Sequence, residues 1–243
     1  MKPFFKVGLL LLVCSSFTNA QFASGKEIQS KAVLNTINKY HTEINYQSGL
    51  YNGNKYLSDK YFLQKNGHRF FISREALKGS VVYDGVLYSD IYLMHDEVSD
   101  ELIFKDFSKK IQLINILVSE FTISDFGFVK IATDEPTLKE GFYQVLYNGK
   151  YRVLKKEVKS ILEDISSASD GIKRYVNTDY FYLIERDSRY YPIKKKKDLL
   201  RIEGFSAKET QKLIKDKKLN FKKNRDVFLT DICEFYDQKI GGE

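Results

Sequence analysis

Tryptophan is absent from this 243-residue chain, proline occurs three times, cysteine and methionine twice each, and histidine three times. Each scarcity excludes something. Proline removes a ladder donor and fixes φ, so a chain with so little of it can run in long unbroken strands. The 18 Phe and 17 Tyr suit the pleated, half-buried surface of a sheet. His41, His68 and His95 stand in no H-E-x-x-H arrangement, and no EF-hand spacing occurs, so the usual metal-site patterns are missing. There is no G-x-S-x-G elbow and no glycine-rich loop ahead of a helix to cradle phosphate. Paired carboxylates for glycoside chemistry leave no local spacing, and nothing here nominates a pair. The sequence therefore predicts no catalytic, cofactor-binding or metal-ligating residue, and it leans away from an enzyme.

Long apolar runs are also lacking, with one exception at the start. Lys2 and Lys6 precede the run Val7 to Val13, and Thr18-Asn19-Ala20 offers a small-residue cleavage site before Gln21. This pattern predicts a secretory signal over residues 1–20 and an exported mature chain without a transmembrane segment, because the apolar run is about half the roughly 20 residues a spanning helix needs. Cys14 follows Val13 rather than a small residue, which disfavours lipidation. Once the leader is removed, Cys233 is the sole thiol, so no internal disulfide can form. It lies in a helical stripe with Phe228, Ile232, Phe235 and Tyr236 and reads as a packed residue. Stability must come from a core, for which the chain is long enough.

Punctuation is what the chain has in plenty. Three of its five Asx-Gly pairs recur in one setting: Tyr51-Asn52-Gly53 before Tyr56, Tyr83-Asp84-Gly85 before Tyr88, and Tyr147-Asn148-Gly149 before Tyr151. Asn-Gly and Asp-Gly tolerate the positive φ of a type I′ turn, so these predict hairpins. In the ribbon turning at Asp84-Gly85, Val81, Tyr83, Val86 and Tyr88 share a face. In the one turning at Asn148-Gly149, Phe142, Leu146, Tyr151 and Val153 form the core face, with Val145 opposite Arg152. Asn66-Gly67 predicts a further hairpin that sets Leu63 against Phe70, and strand-like runs follow at 102–107, 110–117, 120–123 and 126–132.

Helical periodicity frames this β-rich stretch. Ser24 and Glu27 open an amphipathic segment over 24–44 with an S-x-x-E box. Beyond a polar stretch at 163–171, residues 180–193 make one more hairpin turning near Asp187-Ser188. Helices are then predicted at 194–202, at 206–217 behind a second box of Ser206 and Glu209, and at 225–236 capped by Asn224. The fold class is α+β, mainly antiparallel β, as a curved meander, sandwich or partial barrel with an N-terminal helix and C-terminal helices. The predicted domains are 21–162, a linker at 163–171, and 172–243, with the last able to pack on the first.

Charge is uneven. Residues 194–225 hold 11 Lys and 2 Arg against 4 acids, a balance of +9. Clustered lysine concentrates positive potential, so Lys194, Lys195, Lys196 and Lys197 are candidates for binding an anionic lipid or polysaccharide surface or an envelope protein, while export argues against nucleic acid. Tyr83, Tyr88 and Tyr147 with Arg152 form a second candidate surface, amphipathic and aromatic. Met94-His95-Asp96-Glu97, near Asp84 and Asp90, is dense in titratable groups but reads as a turn cap or surface segment.

Leu50-Tyr51-Asn52-Gly53, the stretch Gly79 to Tyr88 (GSVVYDGVLY), the stretch Gly141 to Gly149 (GFYQVLYNG) and Leu219-Asn220-Phe221 together resemble a family of exported Bacteroidota proteins with no assigned activity. The resemblance runs over most of the mature chain. It implies a periplasmic or outer-membrane-associated location and carries over no catalytic residue. A more distant likeness of strand pattern, to half-barrel periplasmic carriers of lipid chains, is analogy alone. The expectation is a non-enzymatic envelope protein that binds or scaffolds a protein or lipid partner. The alternatives are a carrier of an apolar ligand within a curved sheet and, behind it, a hydrolase of envelope polymer.

Overall fold

A computed structural model describes residues 46–57, 66–107, 109–164 and 173–241. The leader, the helix expected over 24–44 and Leu63 of the Asn66-Gly67 hairpin lie outside the described residues. Eleven strands form one sheet: β1 Asn54–Lys55, β2 Leu77–Tyr83, β3 Val86–Asp96, β4 Glu101–Asp106, β5 Lys109–Gln112, β6 Val118–Ile123, β7 Phe126–Ile131, β8 Gly141–Tyr147, β9 Arg152–Asp164, β10 Lys173–Arg186 and β11 Arg189–Pro192. Their order is β1-β5-β4-β3-β2-β6-β7-β8-β9-β10-β11. All pairs are antiparallel. After β5 a 3₁₀ turn at Asn115–Leu117 brings the chain back to seat β6 against β2, and a meander of hairpins follows.

Two turns show how local chemistry sets these hairpins. Asp84 and Gly85 both have positive φ (50° and 73°) between β2 and β3, and Asp187 and Ser188 (49° and 61°) repeat the geometry between β10 and β11. These are the torsions of a type I′ turn, whose twist matches that of the flanking strands. Val81 pairs with Tyr88 and Tyr83 with Val86, the shared face that the alternation predicts. Tyr51-Asn52-Gly53 makes no hairpin. Residues Tyr46–Asn52 are a 3₁₀ helix, and Gly53 permits close approach to β5, since a Cβ there would stand 2.1 Å from the Gln112 carbonyl oxygen. The β8–β9 connection is wider than a two-residue turn, so Val145 lies opposite Leu154 rather than Arg152. Tyr151 is the cause: it is fully buried, its N–H donates to Asp237 Oδ1 (3.1 Å) and its hydroxyl to the Glu203 carbonyl (2.9 Å).

The sheet curls until β3 and β9, with four strands between them in the order, touch: Lys159 N–H donates to the Glu97 carbonyl at 2.9 Å. Aromatic rings fill the curl. Phe121 stacks on Phe128 at 4.6 Å, Phe142 meets Phe121 edge-on at 5.2 Å, and Phe71 meets Phe128 edge-on at 4.9 Å. A partial barrel is therefore the right description.

A second core lies toward the C-terminus. The helices α1, Ala207–Asp216, and α2, Arg225–Gly241, join Ile193, Leu199 and Ile202 against Tyr151, Val153, Tyr182 and Ile184. Phe228, Leu229, Ile232 and Cys233 of α2 are completely buried, each large apolar side chain contributing about 1.5–3 kcal/mol. The Asn224 side chain caps α2 by accepting the Val227 N–H (3.2 Å). The Ser206 side chain makes no cap hydrogen bond at α1. Its partner in the expected box, Glu209, instead pairs with Lys239 at 2.7 Å.

Of the linker expected over 163–171, only Glu163 and Asp164 are corrected, since 165–171 lie outside the described residues. Glu163 and Asp164 belong to β9 and pair with Arg174 and Lys173 of β10. A polar stretch serves as strand here because cross-strand charges such as Glu163 and Arg174 (2.8 Å) stabilise a ribbon with half-exposed faces. Residues Gln47–Glu243 group as one compact unit, so the strands and the C-terminal helices are not separate domains. Among the described residues no helix is long and apolar enough to cross a membrane.

Candidate functional site

The predicted surface divides. Tyr83 and Tyr88 are buried, at 1% and 6% exposure, and the Tyr83 hydroxyl accepts the Ile114 N–H (3.3 Å). Tyr147 is half-buried and donates to Asp237 Oδ2 (3.0 Å), while Arg152 is half-buried and paired with Glu185. These four are packing and cross-strand groups, not an accessible aromatic face. Their alternation marks a face correctly, but the curl turns that face inward.

Lys194, Lys195, Lys196 and Lys197 are all exposed, and none lies within 4 Å of a carboxylate among the described residues. Asp198, overlooked in the sequence, holds them in place. It is buried, and its Oδ2 accepts the N–H groups of Lys194 (2.9 Å) and Lys195 (2.7 Å), so the backbone is pinned while the amines face solvent. Burial works against the Asp198 charge, yet these two N–H groups, with Arg201 and Lys197 nearby, hold its pKa below the usual 3.8. Lys222 and Lys223 are presented likewise, their N–H groups both donating to Asn220 Oδ1 at 3.0 Å. The signal for this arrangement was an acid directly following a lysine run.

The Met94–Glu97 segment is the larger correction. His95, Asp96 and Glu97 are buried at 2%, 0% and 3%, because β3 runs on and is flanked by β4 on one side and by Phe70 and Phe71 on the other. Asp96 does cap the following turn, its Oδ1 accepting the Val98 (3.0 Å) and Ser99 (3.4 Å) N–H groups. Its Oδ2 takes the Tyr56 hydroxyl and the Arg69 guanidinium, both at 2.6 Å. Burial, followed by this hydrogen bond, pushes the Tyr56 hydroxyl pKa far up. Glu97 pairs with Lys159 at 2.8 Å, and Lys159 also donates to the Phe70 carbonyl (2.6 Å). Asp100 takes His95 Nε2 (3.0 Å), Lys156 Nζ (2.5 Å) and the Phe142 N–H (3.2 Å).

This His–Asp–Lys chain has the ingredients of a proton relay, but its histidine end is closed off. The His95 ring is enclosed edge-on by Phe121, Phe128 and Phe142 at 5.5–5.7 Å, and its Nδ1 is buried without a hydrogen-bond partner among the described residues. Asp96, Glu97 and Asp100 each face a cation. Their arrangement clamps the β3–β4 turn across the gap where β9 continues past the start of β8. A cavity of about 450 Å³ borders the clamp, and Lys130, Lys139 and Lys156 there balance Glu97, Asp100 and Glu140. Among the described residues no three His, Cys, Asp or Glu side chains converge as a metal site would require.

Comparisons with protein-family models, with curated proteins and with solved structures found no match. Fold and site together define a curled antiparallel sheet, clamped by buried ion pairs, that carries a lysine-studded helical lobe.

Proposed function

We propose that this chain is an exported, non-enzymatic binding module of the cell envelope that holds an anionic partner against its basic C-terminal lobe. One observation carries the reading: Lys194 to Lys197 stand exposed and without carboxylate partners on a backbone fixed by buried Asp198. A backbone already held in place spares the cost of ordering this segment on binding, and the clustered amines attract anions over a distance set by ionic strength. The packing of Phe71, Phe121, Phe128 and Phe142 on one another inside the curl supports surface binding over carriage of an apolar ligand there. The engagement of Asp96, Glu97 and Asp100 with cations supports binding over hydrolysis. Export and the envelope location rest on the leader pattern of residues 1–20.

The test is co-sedimentation of the mature chain with isolated envelope fractions at low and raised salt. Retention should fall with salt and be lost in a variant carrying Lys→Gln at 194, 195, 196 and 197. Retention that survives both sinks the reading.

A further inference from the structure

We propose that the pocket where β11 stops and leaves one edge of β10 uncovered is a subsite for one acidic sugar ring, which makes an acidic polysaccharide the partner of the basic lobe. This rests on the reading above and narrows it. The pocket holds about 230 Å³, below the ~300–1,000 Å³ of sites for drug-sized ligands, and so suits a single ring.

Its walls are aromatic and its charges all positive. Tyr180, Phe181 and Tyr182 of β10 line it together with Lys139, Lys194 and Arg225, and no acid lies among its described lining residues. The six come from three places: the β10 edge, the loop before β8, and the segments that open the helical lobe. Two of the cations are steadied by rings. Lys139 Nζ sits 4.7 Å from the Phe181 centroid, and the Arg225 guanidinium lies 5.1 Å from Tyr182 and 4.4 Å from Phe221. Tyr180 is 49% exposed, and Lys155 Nζ, 4.9 Å from its ring centroid, sets a further cation beside the ring. Lys194 belongs both to this pocket and to the exposed run, so a chain with one residue in the pocket continues onto Lys195 to Lys197.

The combination selects among anions. A phosphate head group needs point cations and gains nothing from aromatic walls. A pyranose carrying a carboxylate has both an apolar C–H face for Tyr180 and an anion for Lys139, Lys194 and Arg225. Repetition of such rings along a polymer then uses the neighbouring lysines through effective concentration.

Titration calorimetry of the mature chain with oligogalacturonate, with a neutral malto-oligosaccharide of matched length, and with phosphatidylglycerol vesicles tests this. Tyr180→Ala and Arg225→Gln report on the pocket, and Lys195→Gln/Lys196→Gln/Lys197→Gln on the run outside it; thermal melts check that each variant folds. The oligouronate should bind and the neutral oligomer should not, and Tyr180→Ala should weaken binding about tenfold at unchanged charge. If both pocket variants bind as well as the parent while the triple variant does not, the pocket is overturned and the basic-lobe reading stands. Loss on Tyr180→Ala without effect of the triple variant overturns the wider lobe reading and leaves the pocket. Binding of the vesicles but not the oligouronate, equal binding of the neutral oligomer, or no binding by any probe overturns the sugar assignment.

Discussion

Asp100 Oδ2 lies 2.5 Å from Lys156 Nζ, joining the β3–β4 turn to the middle of β9 across 56 positions of sequence. The Lys156 side chain is only 2% exposed, whereas that of Asp100 is 28% exposed. Removing the acid therefore strands a buried ammonium, which is the costly way to break such a pair. Asp100→Ala should lower the unfolding free energy by about 3 kcal/mol, read from the urea midpoint at constant slope. Asp100→Asn combined with Lys156→Met should recover most of it, and no difference between the single and double variants would refute the pairing.

Acid titration separates a half-buried carboxyl, Asp100, from a buried one, Glu97. Burial pushes the Asp100 pKa up, but the His95 hydrogen bond and the Lys156 charge outweigh it and leave the group below 3.8. A depressed carboxyl adds stability that is present above its unfolded value and lost as pH falls through the folded one. Glu97 has the opposite sign: burial, the largest influence, lifts it above 4.5 despite Lys159, so its contribution is present below the unfolded value and lost as pH rises through the raised one. Urea midpoints measured from acid to neutral pH should show a smaller acid-side fall in Asp100→Asn, with the remainder left to groups such as Asp198, and a smaller rising-pH decline in Glu97→Gln. Superimposable profiles for the parent and Asp100→Asn would show the assignment to be wrong.

Gly141 and Gly85 form a matched pair for substitution. Both have positive φ, but a Cβ on Gly141 would stand 1.8 Å from Asp100 Oδ2 and 2.5 Å from Lys156 Nζ, whereas nothing lies within 4 Å of one on Gly85. Gly85→Ala should cost about 1 kcal/mol, the strain of a left-handed residue, and Gly141→Ala clearly more, because it also displaces the ion pair. Equal melting temperatures for the two variants would contradict this.

Cys233 should be silent in the folded protein. It is fully buried on α2, and burial followed by the Asp237 charge pushes its thiol far above the ordinary range, so little thiolate exists to react. A thiol-labelling reagent should modify it only above the urea midpoint. Stoichiometric labelling of native protein would place the residue elsewhere.

Local signals were legible in the sequence, and assembled ones were not. Asp84-Gly85 and Asp187-Ser188 turn as expected because positive φ is a property of the residues themselves. Asn148-Gly149 has the same chemistry, yet its register is set by Tyr151, whose partners Glu203 and Asp237 arrive much later in the chain. Alternation identified the Tyr83 and Tyr88 face but not its burial, which depends on the curl. The exposed run Lys194 to Lys197 was readable, whereas the pocket beside it takes Lys139 and Arg225 from distant segments. His95, Asp96 and Glu97 read as a turn because Lys156 and Lys159, which neutralise their neighbourhood, lie two hairpins and more downstream.

The return that seats β6 against β2 also has a kinetic side. Most neighbouring strands here are hairpins, whose ends meet early in folding, but the β2–β6 seam must wait until β3, β4 and β5 have been traversed. The contact of Glu97 with Lys159 must wait longer, for both halves of the sheet. Weakening the seam should therefore slow refolding, while weakening Glu97–Lys159 should mainly hasten unfolding, as separate arms of a denaturant chevron would report. The buried ion pairs act as a latch: they set how long the closed protein lasts, not how quickly it forms.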